Sequence, residues 1–243
     1  MVSVKIEREE GKRSVRVGFT GQRLTAYGGM VLWSGFLQKI GFRDLLRRLL
    51  PHQPRAHNAL SPSDVALGFI AGVVSGADKL SRVAWLSHDM ALCDVLGIRR
   101  IASQSTLTRF LGRFSQAAAE SLQQLYPSML KRLPSRKEGY TLDLDSTALV
   151  HEDGHQQGVR IGYTRKGLKP CLHPLIAVLA EPKLVAGYWL RSGNCNDAGH
   201  VAEHCRSLLH RMPSHLRISL VRGDSGYGNE GILLELERRG QPY

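Results

Sequence analysis

The stretch that decides the fold is Leu142-Asp143-Leu144-Asp145-Ser146-Thr147, in which leucine alternates with aspartate. Alternation at every second residue is typical of a β-strand, because successive side chains of a strand point to opposite faces of the sheet. The pattern therefore predicts a strand over Tyr140–Thr147 that buries its leucines. Asp143 and Asp145 share the other face, near the end of the strand.

A second acidic site follows the short apolar run 218–221, in the stretch Val221-Arg222-Gly223-Asp224-Ser225-Gly226-Tyr227. Its two glycines frame a turn in which the backbone can approach a ligand closely. A single acid at the end of a strand often caps the next turn. Two such sites on one sheet instead bring carboxylates together, where they repel unless a cation neutralises them. Divalent metals such as Mg²⁺ prefer carboxylate ligands. Asp143, Asp145 and Asp224 are therefore the candidate ligands of such an ion.

The segments after the first strand predict a mixed α/β domain over residues 136–243. Two apolar runs, 173–181 and 184–191, are separated only by Pro182-Lys183, which favours an antiparallel hairpin. An amphipathic helix is predicted from about Val201, capped by Asn196 or Asp197. A last helix is predicted to open at Asn229 and to end at Gly240. The predicted order is strand, strand, strand, helix, strand, helix.

Residues 1–135 predict a mainly helical domain that follows a short N-terminal hairpin, with residues 133–140 as the linker. Apolar residues alternate in 2–6 and 15–19, with a turn between them. A first helix is predicted from about Tyr27, with one buried face made of Leu32, Phe36, Leu37 and Ile40. Ser61-Pro62 is a typical helix start. The helix that follows is expected to bury Val65, Phe69, Ile70, Val73 and Val74.

The overall composition favours a polyanionic partner. The chain has 33 Lys plus Arg against 21 Asp plus Glu, a net charge of +12, and this excess is typical of nucleic-acid-binding proteins. The four cysteines form no CxxC pair, which argues against a zinc ribbon or a disulfide framework. The N-terminus does not resemble a signal peptide, and no apolar run reaches the roughly 20 residues of a membrane helix. We expect a cytoplasmic protein associated with the nucleoid.

Two basic segments are candidate DNA contacts. The first is the stretch Val159–Lys169, predicted to be a loop, whose cations are Arg160, Arg165, Lys166 and Lys169. The second is Ser103-Gln104-Ser105-Thr106 with the residues after it, which resembles the start of a DNA-recognition helix. It places Arg109 and Arg113 one turn apart. A solvated basic loop and an ordinary bundle helix are the alternative interpretations of these two segments.

Taken together, these motifs resemble a known enzyme family. Four stretches of the sequence are similar to motifs of DDE-type transposases of the IS4-like class, especially the IS1380 group, and the resemblance covers roughly residues 20–243. These stretches are LDLDST, GYTRKGLKPCLHPLIAVLAE, LRSGNCNDAGH and VRGDSGYGN. The resemblance implies an RNase H-like mixed sheet in which Asp145 and Asp224 are the first two catalytic acids. It also implies two Mg²⁺ ions, with Mn²⁺ as a substitute. The implied substrate is double-stranded DNA at the transposon's terminal repeats, cut and joined by a homodimer.

The chain departs from that family's pattern in its last third. The resemblance places a third acid, a glutamate, on a helix after a further strand. The acids that follow Asp224 here, Glu230, Glu235 and Glu237, instead lie in the helix directly after it. On this basis we expect the chain to stop before the third acid and to be inactive by itself.

Two alternative functions remain open at this level. Asp143-Leu144-Asp145-Ser146-Thr147 also fits the DxDxT motif of haloacid dehalogenase-type phosphatases, in which Asp143 would be the nucleophile and Asp145 the general acid and base. That fold needs parallel strands joined by helices, for which Pro182-Lys183 is too short a connection. The other alternative is a DNA-binding remnant of a transposase that no longer catalyses the reaction.

Overall fold

The computed structural model describes residues 2–9, 12–19, 23–50, 58–151, 156–195, 201–224, 227 and 230–243, and for residues 2–19 only the backbone. The chain divides into two compact units, Met1–Leu122 and Gln123–Tyr243. Each unit is described by itself.

The first unit begins with a two-stranded antiparallel hairpin, and its other described elements are helical. Strand β1 pairs with β2 from Val2 opposite Phe19 to Glu9 opposite Lys12, which confirms the predicted N-terminal hairpin. Its two turn residues lie outside the described residues. The elements are β1 (Val2–Glu9), β2 (Lys12–Phe19), α1 (Met30–Lys39), α2 (Phe42–Leu49), α3 (Pro62–Val74), α4 (Leu80–Trp85), α5 (Met90–Leu96), α6 (Gln104–Leu111) and α7 (Gln116–Ser121).

Side-chain caps set the start of several of these helices. The Ser61 hydroxyl accepts a hydrogen bond of 3.1 Å from the backbone N–H of Asp64, and Pro62 occupies the first turn, as predicted. Asp89 and Ser103 cap α5 and α6 in the same way. Each cap satisfies an N–H group that has no partner within the helix, so polar residues at these positions mark where the helices begin.

The buried face of α1 differs from the predicted one. Leu32 and Phe36 are exposed, whereas Met30 and Ser34 are buried and Leu37 packs against the core. The Ser34 hydroxyl donates a 2.8 Å hydrogen bond to the carbonyl of Val95, which turns this face toward α5. Of the four predicted residues, Ile40 is buried and Leu37 packs against the core, so periodicity alone identified only part of the buried face.

The predicted buried stripe of α3 is also wrong in its second half. Val65 is buried, but Val73 and Val74 are exposed, and the small residues of the opposite face are buried instead. A β-carbon on Gly72 would lie 2.7 Å from a methyl group of Val83 on α4. The absence of a side chain at this position lets the two helices approach closely. Shape, and not hydrophobicity, therefore decides which side of α3 is buried.

The described residues of the second unit form two sheets and three α-helices. One sheet has four strands in the order β8-β7-β3-β9, and the other has three in the order β4-β6-β5. None of the helices within the described ranges is long and apolar enough to cross a membrane. The elements are α8 (Leu125–Leu130), β3 (Tyr140–Ser146), β4 (Leu149–Val150), β5 (Arg160–Thr164), β6 (Gly167–Leu172), β7 (Leu175–Leu179), β8 (Leu184–Trp189), α9 (Val201–Arg211), β9 (Ile218–Gly223) and α10 (Glu230–Arg238).

The pairing of the four-stranded sheet is mixed. Strand β7 runs antiparallel to both β3 and β8, and β9 runs parallel to β3. The antiparallel hairpin predicted on either side of Pro182-Lys183 is confirmed, with Lys183 in the left-handed region at φ 54°. The predicted order of three strands, a helix, a strand and a helix is confirmed for this sheet and its helices. The predicted caps at Asn196, Asp197 and Asn229 lie outside the described residues.

One face of this sheet forms the core of the second unit. The alternating residues Tyr140, Leu142 and Leu144 of β3 are buried against apolar side chains of α9 and α10. Leu130 of α8 belongs to the same core. The compact unit therefore begins at Gln123, before the domain boundary predicted at residue 136.

Helices α9 and α10 are joined by a carboxylate that is surrounded by guanidinium groups. Glu235 is buried on α10 and accepts hydrogen bonds from Arg206 of α9, Arg238 and Arg239, at 2.6 to 3.1 Å. These hydrogen bonds lower the pKa of Glu235 to about 2. A buried carboxylate needs such partners to stay ionised. The sequence placed Glu235 among the acids after Asp224, and the structure gives it this packing role.

A buried histidine makes the stability of the second unit depend on pH. The His204 ring stacks on Trp189, with ring centroids 5.3 Å apart. Burial, with nearby Arg211 and Arg191, lowers its pKa from 6.5 to about 4. Between pH 6.5 and about pH 4, His204 is protonated in the unfolded chain but stays neutral in the folded chain. The free energy of unfolding therefore falls as the pH decreases through this range.

We predict that His204→Phe removes this loss while keeping an aromatic ring against Trp189. The wild-type free energy of unfolding should fall by up to about 3 kcal/mol between pH 7 and pH 4 through this one group. Urea denaturation at both pH values measures the difference. His210→Phe, at an exposed position of α9, is the matched control and should keep the wild-type pH dependence. An unchanged pH slope in His204→Phe contradicts the prediction.

Candidate active site

Two acids lie at the carboxyl ends of neighbouring strands. Strand β3 pairs in parallel with β9 up to Leu144 opposite Gly223. Asp145 and Asp224 each follow this last pair by one residue. Neighbouring strands lie about 4.8 Å apart, so the backbones of the two aspartates are adjacent. Both residues are exposed, which leaves this edge of the sheet open to solvent.

Alternation along β3 is what turns the acids away from the core. Leu142 and Leu144 are buried, while Asp143 is half-buried and Asp145 is exposed on the opposite face. On the neighbouring strand Val221 is buried directly opposite Leu142. The buried residues of both strands therefore fix which way the acidic side of the sheet faces.

Asp143 is held by an arginine on the neighbouring strand. The guanidinium of Arg222 donates two hydrogen bonds to the Asp143 carboxylate, Nε to Oδ1 at 2.7 Å and Nη2 to Oδ2 at 2.9 Å. The two residues are direct partners in the parallel register. This contact raises the pKa of Arg222 above its ordinary value. A fork-shaped pair of this kind is directional, so it links the two strands that carry Asp145 and Asp224.

The turn after Asp224 is fixed by an aromatic ring. A β-carbon on Gly223 would lie 3.0 to 3.1 Å from the side chain of Tyr227, which is buried. The backbone N–H of Tyr227 donates to the carbonyl of Asp224 at 3.0 Å. Glycine at position 223 therefore makes room for the ring that packs against the turn. The sequence signal for this contact was a glycine and a tyrosine four residues apart.

The donor chemistry of this edge suits a hard divalent cation. Asp145 and Asp224 offer carboxylate oxygens from adjacent strands, the ligand type that Mg²⁺ and Mn²⁺ prefer. Within the described ranges, no group of three or more His, Cys, Asp or Glu side chains is placed to hold a metal ion. The two aspartates would thus supply part of a coordination sphere.

The basic segment predicted to be a loop is a β-ribbon. Strands β5 and β6 pair from Arg160 opposite Cys171 to Thr164 opposite Gly167. The Thr164 hydroxyl donates to the Gly167 carbonyl at 2.7 Å and accepts from the N–H of Lys166 at 3.1 Å, which closes a tight turn. The loop prediction was wrong because glycine and basic residues interrupt the apolar alternation. Of the four predicted contact residues, Arg160, Arg165 and Lys166 are exposed and Lys169 is half-buried.

The family model for transposase DDE domain group 1 matches residues 7–243. The chain belongs to this family of DDE transposases. No curated protein matches the sequence. Family membership makes the chain part of a DNA-binding enzyme of the transposase class, and DDE transposases generally use divalent metals.

The strand pairing of this transposase argues against the phosphatase alternative. That alternative requires parallel strands joined by helices after the DxDxT motif. Here β7 and β8 follow the motif as an antiparallel pair, and β7 is also antiparallel to β3. The carboxylate of Asp143, the nucleophile in that alternative, is engaged by Arg222.

The other two predicted DNA contacts of the transposase lie in its first unit. Arg109 is exposed on α6, which Ser103 caps as expected. Arg113 is also exposed but lies beyond the end of α6, since the helix stops at Leu111. The two arginines therefore do not sit one turn apart on a single helix as predicted. The connection from α5 to α6 spans 97–103, longer than the three or four residues typical of a helix-turn-helix.

Proposed function

We propose that the chain belongs to an enzyme of metal-dependent phosphodiester cleavage and strand transfer at transposon ends, in which Asp145 and Asp224 are the first two catalytic acids and which needs the third acid for activity. The observation that carries the proposal is the parallel register of β3 and β9, which makes the two aspartates neighbours at one open edge of the sheet. Two neighbouring carboxylates repel each other unless a cation neutralises them, so their proximity supports a shared metal ion.

The sheet topology supports an RNase H-like fold for the proposed catalytic domain, residues 136–243. In the sheet β8-β7-β3-β9, strands β3, β7 and β8 pair in antiparallel fashion. The last strand, β9, is parallel to its neighbour β3. The order of elements along the chain, three strands, a helix, a strand and a helix, is the one that the resemblance to the IS4-like class implies, and we place the chain in that class, closest to the IS1380 group.

The mechanism requires the chain to hold a cation, position DNA and align the reacting groups. Asp145 and Asp224 would hold Mg²⁺, of which two ions are expected in the complete site and for which Mn²⁺ can substitute. Such ions activate a hydroxyl nucleophile, water for cleavage or a DNA 3′-OH for joining, and stabilise the leaving oxygen of an in-line displacement. The ion pair between Asp143 and Arg222 fixes the relative position of the two acid-bearing strands. Asp143 thereby supports the metal site through Arg222.

The proposed substrate is double-stranded DNA at the terminal repeats of a transposon. Residues 1–135 would act as a mainly helical DNA-binding domain. Phosphate contacts are assigned to the exposed cations of the ribbon and of the α6 region, because Lys and Arg supply most contacts to DNA phosphates. We further propose a homodimer that pairs two DNA ends and a cytoplasmic, nucleoid-associated location. The proposed contacts are Arg160, Arg165, Lys166, Lys169, Arg109 and Arg113.

The central prediction is that, in a transposase that combines this chain with the third acid, Asp145→Asn and Asp224→Asn each abolish DNA cleavage and leave DNA binding nearly unchanged. Both changes remove a metal ligand but no phosphate contact. The loss should exceed about 100-fold, the upper range for removing even an outer partner of a metal ligand. Cleavage of labelled terminal-repeat DNA with Mg²⁺ measures activity, and a gel shift in Ca²⁺ measures binding. Asp44→Asn, an exposed acid on α2, is the control. Full activity in either variant rejects the assignment.

A second prediction concerns the ribbon cations. Arg165→Ala/Lys166→Ala should weaken duplex binding and lower the slope of log K against log salt by about two units, roughly 0.9 for each lost phosphate contact. Fluorescence anisotropy over a salt series measures the slope. Lys131→Ala/Arg132→Ala removes the same charge from the end of α8 and serves as the control. Equal slopes in the two double variants would exclude the ribbon turn from the DNA path.

A third prediction separates the support by Asp143 from direct ligation of the metal. Asp143→Asn frees a cation beside the two acids and should weaken Mn²⁺ binding, whereas Arg222→Gln frees an anion and should strengthen it. The double variant is neutral at both positions and should return the Mn²⁺ dissociation constant close to the wild-type value. Electron paramagnetic resonance titration of Mn²⁺ measures all four proteins. A double variant that binds as weakly as Asp143→Asn would make Asp143 a direct ligand.

A further inference from the structure

One face of the β5–β6 ribbon carries exposed apolar side chains. In the register, Tyr163 lies opposite Leu168, and Ile161 lies opposite Pro170, so these four side chains share a face. The exposed fractions are 76% for Tyr163, 72% for Leu168 and 58% for Ile161. Contiguous apolar side chains left in water commonly mark a binding surface. We refer to Ile161, Tyr163, Leu168 and Pro170 as the ribbon platform.

The opposite face of the ribbon holds it against the rest of the unit. A β-carbon on Gly162 would overlap the carbonyl oxygen of Gly193, so the two backbone segments are in direct contact. The ring Nε2 of His173 lies 2.9 Å from the carbonyl of Tyr163, and the Ser192 hydroxyl donates to the carbonyl of Gly158 at 2.7 Å. The ribbon is therefore fixed through its inner face. Packing does not require the apolar side chains of the platform.

The charge around the platform selects the class of ligand. The segment 159–172 contains four basic residues and no acid. Arg165 and Lys166 are exposed in the turn beside the platform, whereas Arg160 and Lys169 lie on the opposite face of the ribbon in the register. An aromatic ring with apolar neighbours and cations beside it is the arrangement by which proteins bind unpaired nucleotides: the ring stacks on a base while the cations contact phosphates. A second copy of this same surface is a poor partner, because its turn cations would repel Arg165 and Lys166.

The platform also lies at the end of the sheet that carries the acids. Strand β6 leads directly into β7, whose Leu175 and Ile176 pair with Ser146 and Asp145. Strand β4, which follows β3, pairs with the last two residues of β6. The base of the ribbon thus lies near Asp145, on the same part of the unit as the proposed metal site.

We propose that the ribbon platform binds unpaired bases of the DNA end, with Tyr163 stacking on one base and Leu168 and Ile161 packing beside it. The cations of the ribbon hold the backbone of the same strand. The location of this site on DNA rests on the proposed transposase reaction. Base stacking itself does not depend on catalysis, so it can be measured separately.

The experiment compares two DNA probes of the same sequence, a blunt duplex and a duplex with four unpaired nucleotides at one end. Tyr163→Ala should weaken binding of the unpaired-end probe about tenfold to a hundredfold, the range typical of losing one base–aromatic stack. Its affinity for the blunt duplex should change less than twofold. Tyr163→Phe and Tyr163→Trp should bind both probes as the wild type does. The exposed Tyr243→Ala is the matched control and should show no loss.

The fluorescence of 2-aminopurine placed in the unpaired end measures stacking directly. Its fluorescence should be quenched by stacking in the wild type, Tyr163→Phe and Tyr163→Trp, and should stay bright in Tyr163→Ala. Thermal unfolding should be unchanged in all variants because the side chain is exposed.

Three outcomes would overturn the proposal. The first is equal affinity of Tyr163→Ala and the wild type for the unpaired-end probe. The second is an equal loss on both probes, which would mean a phosphate or folding effect. The third is wild-type DNA binding in Tyr163→Ala combined with lost binding to anionic phospholipid vesicles. In a transposase that combines this chain with the third acid, loss of cleavage in Asp145→Asn with normal stacking supports both proposals, whereas normal stacking without cleavage by the unsubstituted protein removes only the proposed reaction.

Discussion

The parallel pairing of β3 with β9 is the contact on which the rest of the second unit depends. Strand β3 is flanked by β7 on one side and by β9 on the other, so it fixes the register of both neighbours. Its leucines anchor the core that α9 and α10 cover. Because alternate residues face opposite ways, burying these leucines obliges Asp143 and Asp145 to face the other side. The same packing that stabilises the unit therefore also presents the acids.

At the edge of the sheet that carries the acids, part of the negative charge is neutralised by an arginine of the protein itself. Asp143 and Arg222 neutralise each other across the strand pair, which leaves Asp145 and Asp224 as the neighbouring acids at the strand ends. Glu235 provides a contrast, since it is a buried acid whose three arginines make it a link between helices. Their guanidinium partners thus identify Asp143 as a link between strands and Glu235 as a link between helices.

Close backbone contacts explain where the chain can place its surfaces. Gly72 lets α4 approach α3, and Gly162 lets the ribbon rest on Gly193. In both places the absence of a side chain lets two neighbouring segments come into direct contact. As a result, apolar residues on the other side of the element remain in solvent, as Val73 does on α3 and Tyr163 does on the ribbon. For the ribbon, the surrounding cations turn this exposed face into a candidate binding surface.

Several features of the protein followed from the sequence alone, because they depend on local chemistry. Alternation predicted β3, two apolar runs separated by Pro182-Lys183 predicted the β7–β8 hairpin, and the cap at Ser61 predicted the start of α3. The positions of Asp145 and Asp224 at strand ends were also predicted, since each acid lies at the end of a strand-like segment. What only the tertiary structure decided were contacts between distant segments: the Asp143–Arg222 pair, the ribbon in place of a loop and the buried faces of α1 and α3. These depend on which backbones can come close together, and a single sequence's periodicity carries no information about the partner's shape.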